Sequence, residues 1–180
     1  MRGVIALAPT SPRRTAVRRS FAEAAADHLD AVHRYLLVLT ADPSLAEDLT
    51  AETFEKALRS WRRFDPRRGS ERTWLCRIGR SVALDHFRAE ARRRRREERY
   101  ARAAGGEQAP PVELGFSPAL EEALRSLTAA EREVVALRIV LDLDADAAAR
   151  VLGLGRTACS MRLARALAKL EERMEAHAVA

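Results

Sequence analysis

The 180-residue chain carries 32 basic residues, and only Lys56 and Lys169 among them are lysine. The arginines are concentrated. Arg62, Arg63, Arg67, Arg68 and Arg72 sit in "WRRFDPRRGSER", and Arg77, Arg80, Arg88 and Arg92–Arg96 come after them in "WLCRIGRSVALDHFRAEARRRRR". A guanidinium pairs with a phosphate through two parallel hydrogen bonds, and each such contact releases counterions condensed on a nucleic-acid backbone. The chemistry on offer is therefore polyanion binding. On a helical wheel Trp74, Leu75, Ile78, Val82 and Ala89 share the core side, while Arg77, Arg80, Leu84, Arg88 and Arg95 share another, with Thr73 close by. Arginine thus converges from a loop, a helix and a tail, which favours a nucleic acid over a merely solvated face. Asp85, on the core side, is expected to pair with an arginine.

Two further stretches have patterned faces. In "LAEDLTAETFEKALRSW" the residues Ala46, Leu49, Phe54, Ala57, Leu58 and Trp61 form an apolar arc, with Asp48, Glu52 and Glu55 opposite and Arg59 at the end of that stripe. Acid beside a DNA-facing surface repels DNA, so a basic protein partner makes physical sense there. Near the C-terminus, "DADAAARVLGLGRTACSMRLARAL" has the helix, short Gly-bearing turn and second helix of a helix-turn-helix. Its last helix turns Cys159, Leu163, Ala166, Leu170 and Met174 inward. Thr157, Met161, Arg165 and Ala168 face outward, with Arg162 flanking.

Catalytic chemistry finds no support. His28, His33, His86 and His177 lack metal-ligand spacing, and no phosphate loop or nucleophile motif is present. "DLDAD" lacks the glycine and closing glutamate of a calcium loop, so helix capping explains it better. No metal, cofactor or small-molecule substrate is expected, and the chain reads as a non-enzyme. Cys76 and Cys159 read as buried reduced thiols. "VIALA" is too short for a membrane span or signal segment, and the residues after "SPRRTAVRRSF" do not form an apolar run, so a cytoplasmic protein with no membrane partner is expected.

The elements that must hold these faces are helices. The chain is 47% hydrophobic but only 5% aromatic, a composition rich in Ala, Leu and Arg that favours an all-α fold. Residues 1–20 read as a disordered basic tail. Helical spacing begins at Phe21 with Ala25, Leu29, Val32, Leu36 and Leu39, and "TADPS" breaks it, with Ser44 or Asp42 able to cap the next helix. Ser70 is a candidate cap for the third. The Gly- and Pro-rich segment 97–116 reads as a flexible linker, and four shorter helical patterns occupy 117–177. The expected architecture is two small all-helical domains, 21–96 and 117–177, on a tether. Charge divides unevenly too: the net is −5 over residues 21–60 and +8 over 61–99, within an overall +6.

Together "AEDLTAETFEKAL", "RTWLCRIGRSVALDHFR" and "LTAAEREVVALRIVLDL…AARVLGLG" resemble the extracytoplasmic-function sigma factors of bacterial RNA polymerase, with 21–96 matching sigma region 2 and 117–176 matching region 4. The resemblance implies promoter-directed transcription initiation with core RNA polymerase and promoter DNA as partners, and control by a separate anti-sigma factor. It implies that Asp48, Leu49, Glu52, Phe54 and Glu55 dock on the β′ clamp helices. Phe64, Arg67, Arg68, Ser70, Arg72, Arg77, Arg80, Ser81, Leu84 and Arg88 would bind the −10 region, with an extruded base held near the loop. Arg156, Thr157, Ser160, Met161, Arg162, Ala164 and Arg165 would bind the −35 region, and region 4 would also touch the β flap.

The chain departs from the family pattern in two places. "RIGRS" puts Ser81 where an amide is usual, and "AAARVLGLGRTACSMRLARA" puts Met161 and Ala164 where polar residues are usual. Apolar contact of Met161 with thymine methyls is the expected compensation, with Arg162 and Arg165 on phosphate or guanine. The rival reading is a free-standing helix-turn-helix regulator, or an inactive sigma relative, that binds DNA without polymerase; such a regulator would not need the acidic second helix.

Overall fold

The computed structural model describes residues 19–100 and 116–179; the expected tail and linker lie outside these apart from their edges. Among the described residues the regular elements are all helical: α1 (Phe21–Thr40), α2 (Pro43–Ser60), α3 (Glu71–Tyr100), α4 (Pro118–Ser126), α5 (Ala129–Val135), α6 (Ala145–Leu152) and α7 (Arg156–Val179). Short 3-10 turns at Trp61–Arg63 and Pro66–Arg68 shape the loop before α3, and a π turn at Ala136–Val140 continues α5.

Local chemistry sets most boundaries. Ser20 and Glu23 form a reciprocal capping box at the start of α1, so the first bundle begins inside the stretch read as tail. Asp42, not Ser44, caps α2 by accepting the Leu45 N–H at 3.1 Å. Ser70 Oγ accepts the Thr73 N–H at 3.2 Å and opens α3, as the sequence suggests. That helix runs on through Tyr100, beyond the expected boundary at residue 96. In the second half Asp144 caps α6 through the Ala147 N–H at 2.7 Å, which gives part of "DLDAD" its capping role. Gly153 ends α6 at φ +66°, a left-handed conformation glycine adopts without a Cβ clash.

Helices α1, α2 and α3 pack into a three-helix bundle, and α4, α5 and α6 pack around α7. Val32, Tyr35, Leu36, Leu75 and Val82 from the first bundle and Val134, Leu137, Ala148, Cys159 and Ala166 from the second are buried in one continuous hydrophobic cluster. The two halves touch: α3 meets α6, and α1 meets α5 and the π turn.

Several wheel assignments need correction. Leu58 is 57% exposed, because the buried side of α2 is centred on Ala46, Leu49, Thr50, Thr53 and Ala57. Thr50 and Thr53 can be buried since each hydroxyl donates to the carbonyl four residues back, at 2.6 Å. On α3 the small residues Cys76, Gly79 and Ala83 take the core position, which turns Ala89 and Asp85 out to solvent. Asp85 nevertheless has its arginine, Arg88, at 3.2 Å. Met174 is exposed, the burial along α7 ending at Leu170. Both cysteines are buried and free, and burial pushes the Cys76 thiol up to about 12.

Glu131 ties α5 to α7. Its carboxylate accepts Lys169 Nζ at 2.6 Å and the Thr128 N–H at 2.9 Å within a second capping box. The Lys169 bond, then the Thr128 N–H, hold its pKa at about 2 against an ordinary 4.5. A folded-state pKa below the unfolded one means stabilisation fully present above pH 4.5 and lost as pH falls toward about 2. Glu131→Gln keeps the capping box but loses the ion pair with the half-exposed Lys169, so it is expected to lower stability at neutral pH by roughly 0.2–1 kcal/mol and to flatten the pH dependence across that window. Urea titrations followed by circular dichroism at stepped pH check both.

Candidate nucleic-acid interface

The loop between α2 and α3 is held by aromatic stacking. Phe64 lies parallel on Trp61 with ring centroids 5.2 Å apart and planes 7° apart, and Trp74 of α3 meets both rings at 5.8 and 5.5 Å. Phe21 closes the cluster from α1, 5.6 Å from Trp61. Offset and edge-on aromatic pairs of this kind add stabilisation beyond area burial. Asp65 then accepts the Arg67 N–H at 3.0 Å, and Gly69 at φ +151° turns the chain into α3. The loop is thereby a built element, with Arg67 and Arg68 exposed at its tip.

Above the aromatic floor lies a cleft of about 190 Å³, walled by Arg63, Phe64, Arg68, Thr73, Trp74 and Arg77. A second, more open groove of about 300 Å³ runs on past Trp74 and Arg77 to Ile78, Ser81 and Lys56. The two depressions share Trp74 and Arg77, so an aromatic edge and a guanidinium stand at their junction. Arg77, Ser81 and Arg88 are exposed along α3, Leu84 and Arg72 are half-buried, and Ser70 is exposed at the cap. Phe64 is buried as a wall and a brace for the loop. Arg80, expected to point at a ligand, is instead half-buried, its Nε 2.7 Å from Glu133 Oε1 of α5. The distal arginines are partly compensated: Arg93 and Arg94 lie 3.1 and 3.2 Å from Glu90.

On α2, Asp48, Glu52 and Glu55 are exposed on one side. Glu52 meets Lys56 at 2.7 Å, and Glu55 pairs with Arg59. Leu49, grouped with them from sequence, is 2% exposed and packs beneath the stripe. Phe54 is half-buried, 6.3 Å from Phe21. In the second half Arg156, Thr157, Ser160, Met161, Ala164 and Arg165 all face solvent along α7, and Arg162 is half-buried beside them. Met161 is 55% exposed, so an apolar group stands open on the face a major groove would meet. Arg156 is 3.7 Å from Asp146 across the turn.

Sequence reading missed three features: the two capping boxes, the aromatic brace and the partner of Arg80. The Ser-x-x-Glu and Thr-x-x-Glu spacings were available signals for the first. Glu133 lies on the same helical face as Ala136 and Leu137, and a carboxylate on an apolar arc was the signal for the last. Among the described residues no cluster of His, Cys, Asp or Glu is arranged for a metal ion, and no helix is long and apolar enough to cross a membrane.

Comparison with known proteins draws these faces together. The family model described as Sigma-70 region 2 matches residues 25–93, and that described as Sigma-70, region 4 matches residues 117–170. BldN of Streptomyces coelicolor, an ECF RNA polymerase sigma factor, is 32% identical over 155 residues, covering 78% of this chain and 56% of BldN. SigC of Mycobacterium tuberculosis, also an ECF RNA polymerase sigma factor, is 36% identical over 137 residues, covering 75% of this chain and 72% of SigC. This chain therefore spans little more than half the length of BldN. Among solved structures, CnrH in complex with the cytosolic domain of CnrY aligns with a TM-score of 0.65 at 27% identity, over 87% of this chain and 88% of that one. The sigma factor RpoE of Bartonella quintana, in complex with the anti-sigma factor NepR, shares the fold with a TM-score of 0.67 at 23% identity, over 86% and 96%.

The brace can be tested directly. Phe64→Ala is expected to lower stability by about 3 kcal/mol, and to expose the loop to trypsin at Arg67 and Arg68. Urea denaturation and limited proteolysis read the two effects.

Proposed function

The chain belongs to the extracytoplasmic-function sigma factors of the sigma-70 family, and from that membership we propose that it directs core RNA polymerase to specific promoters and helps open the −10 region. The reading rests above all on one observation: a single three-helix bundle carries an exposed acidic stripe on α2 beside a basic, aromatic-floored cleft at the start of α3.

Each face has a distinct task in this proposal. Asp48, Glu52 and Glu55 dock on the β′ clamp helices, with Phe54 at the edge and Leu49 holding the stripe in shape from below. The loop Phe64–Ser70 and the α3 residues Arg72, Arg77, Ser81, Leu84 and Arg88 take the −10 strand. A base swung out of the stack enters the cleft between Phe64, Trp74 and Arg77, where aromatic and guanidinium groups offer contacts that duplex DNA denies it. Opening needs no catalytic residue, because binding the unpaired strand shifts the equilibrium. In the second domain α7 lies in the major groove at −35. Arg156, Thr157 and Ser160 approach phosphates; Met161 and Ala164 meet thymine methyls; Arg162 and Arg165 read phosphate or guanine. Region 4 also touches the β flap. The protein works in the cytoplasm without cofactor or substrate turnover, under the control of a separate anti-sigma protein.

Run-off transcription with purified core polymerase on genomic DNA tests the whole reading: specific transcripts are expected, and their absence overturns it. Asp48→Lys with Glu52→Lys is expected to weaken core-polymerase binding about tenfold, as close charge pairs at interfaces do, while DNA binding by the isolated chain persists. Unchanged polymerase affinity would favour a free-standing regulator. Arg165→Ala is expected to cost roughly 1–3 kcal/mol and to relax sequence preference at −35, read by competition binding with altered promoters.

A further inference from the structure

Arg19 immediately precedes Ser20, the cap of α1, and its guanidinium reaches two helices at once. Nη1 donates to Glu71 Oε2 at 3.0 Å, in the first turn of α3. Nη2 donates to the Asp27 carboxylate of α1 and to the Glu23 carbonyl at 3.3 Å. The backbone carbonyl of Arg19 accepts the indole N–H of Trp61 at 3.3 Å. Trp61 is the ring on which Phe64 stacks, and Glu71 opens the helix that carries Thr73, Trp74 and Arg77. One residue therefore holds a point behind each wall of the cleft: the loop wall through Trp61 and the α3 wall through Glu71.

We infer that Arg19 is a positioning residue for the cleft: it holds the Trp61–Phe64 stack in register with the start of α3, so that the site is formed before a DNA strand arrives. This rests on the reading of the cleft as the −10 site and adds what preorganises it. A direct phosphate contact is the competing role for an arginine, and the surroundings disfavour it. The charge of Arg19 is already met by Asp27 and Glu71, with Glu23 nearby, and these carboxylates repel a phosphate. A guanidinium can address two carboxylates from separate nitrogens, whereas the ammonium of a lysine is a single point charge. Without the Arg19 side chain, the carbonyl that holds the Trp61 indole loses its own anchors, and Glu71 is left facing His28 at 3.4 Å. Exposed ion pairs add little to global stability, so the loss falls on the fraction of chains with a formed cleft, and apparent affinity scales with that fraction.

The test uses the full chain without polymerase, at a temperature where circular dichroism shows each variant folded. The chain has two tryptophans, Trp61 and Trp74, and both belong to the brace, so intrinsic fluorescence reports on this site alone. Arg19→Ala should raise acrylamide quenching of that fluorescence. It should also weaken binding of a short fluorescein-labelled single-stranded DNA of mixed sequence about threefold to tenfold, the range that one hydrogen bond and an exposed ion pair can shift. The slope of log affinity against log salt should stay that of the wild type, because no phosphate contact is lost. Arg19→Lys, which keeps the charge and loses the fork, should behave like Arg19→Ala. In a Trp61→Phe background, which keeps a ring without the N–H, Arg19→Ala should cost less affinity than it does in the wild type. A salt slope lower by about 0.7, the loss of one phosphate contact on a single strand, or full rescue by lysine makes Arg19 a DNA ligand and overturns the positioning role. Unchanged quenching in Arg19→Ala overturns it as well. If the wild type binds no single-stranded DNA, the −10 reading of the cleft fails, and quenching alone then decides whether Arg19 holds the walls. Should Arg19→Ala fail to give a helical spectrum, Arg19→Lys decides by the same readouts.

Discussion

A carboxylate that loses its water must find donors, and among the described residues Glu133 finds them in the other domain, on α1 and α3. Tyr35 and Arg80 supply the hydrogen bonds, from positions 98 and 53 residues away in sequence. This requirement adds a polar tie between two bundles whose buried side chains already form one continuous hydrophobic cluster. An unpaired carboxylate at that depth would carry a desolvation cost of several kcal/mol, so the contact between halves and the burial of Glu133 are one event. The direction of the coupling matters as well. The donor Arg80 is taken from the stripe that gives the first bundle its positive face, so joining the halves and presenting that face draw on the same side chain.

The first bundle's two charged surfaces arise from how three helices share one core. Each helix buries a single face, which leaves α2 and α3 free to carry opposite signs on their outer sides. On α2 the buried strip of Ala46, Leu49, Thr50, Thr53 and Ala57 leaves Asp48, Glu52 and Glu55 outside. On α3 the close approach to α2 is made at Gly79, where an added Cβ would lie 3.4 Å from Thr53 Oγ1. Packing small residues there brings the helices together and puts Arg80 at the rim of the core, half in and half out. A purely solvent-facing arginine could not reach Glu133, and Arg80 does so at 2.7 Å.

How far the sequence foretold this depends on which interactions are local. The helices, the caps at Asp42, Ser70 and Asp144, and the outward face of α7 follow from short-range pattern, and the structure has them. The errors at Leu58, Ala89 and Asp85 share a cause: wheels were centred on large apolar residues, whereas packing centred on threonine, cysteine, glycine and alanine. Thr53 and Thr50 satisfy their own hydroxyls on the helix backbone, so they enter a core that a hydropathy pattern denies them. The stacked brace of Trp61 and Phe64 lay beyond short-range pattern because it joins a turn to two helices. The Glu133 contact lay further out still, since its partners are set by tertiary approach and not by spacing. What pattern did offer was the anomaly itself, an acid among Val134, Val135 and Leu137.

The proposed promoter recognition sets a problem for a chain with one strongly basic face. A protein with net charge +6 and an exposed arginine face binds any polyanion through counterion release, with little regard for sequence. Arg80, half-buried and paired with Glu133, is partly withdrawn from that face, and Arg93 and Arg94 share Glu90. In the proposed function polymerase docks instead on the acidic stripe of α2, where Asp48, Glu52 and Glu55 stand on a helix other than the one that carries the basic face. Opposite charges on two helices of one bundle let each partner approach its own surface, because a polyanion is repelled by the stripe and attracted by α3.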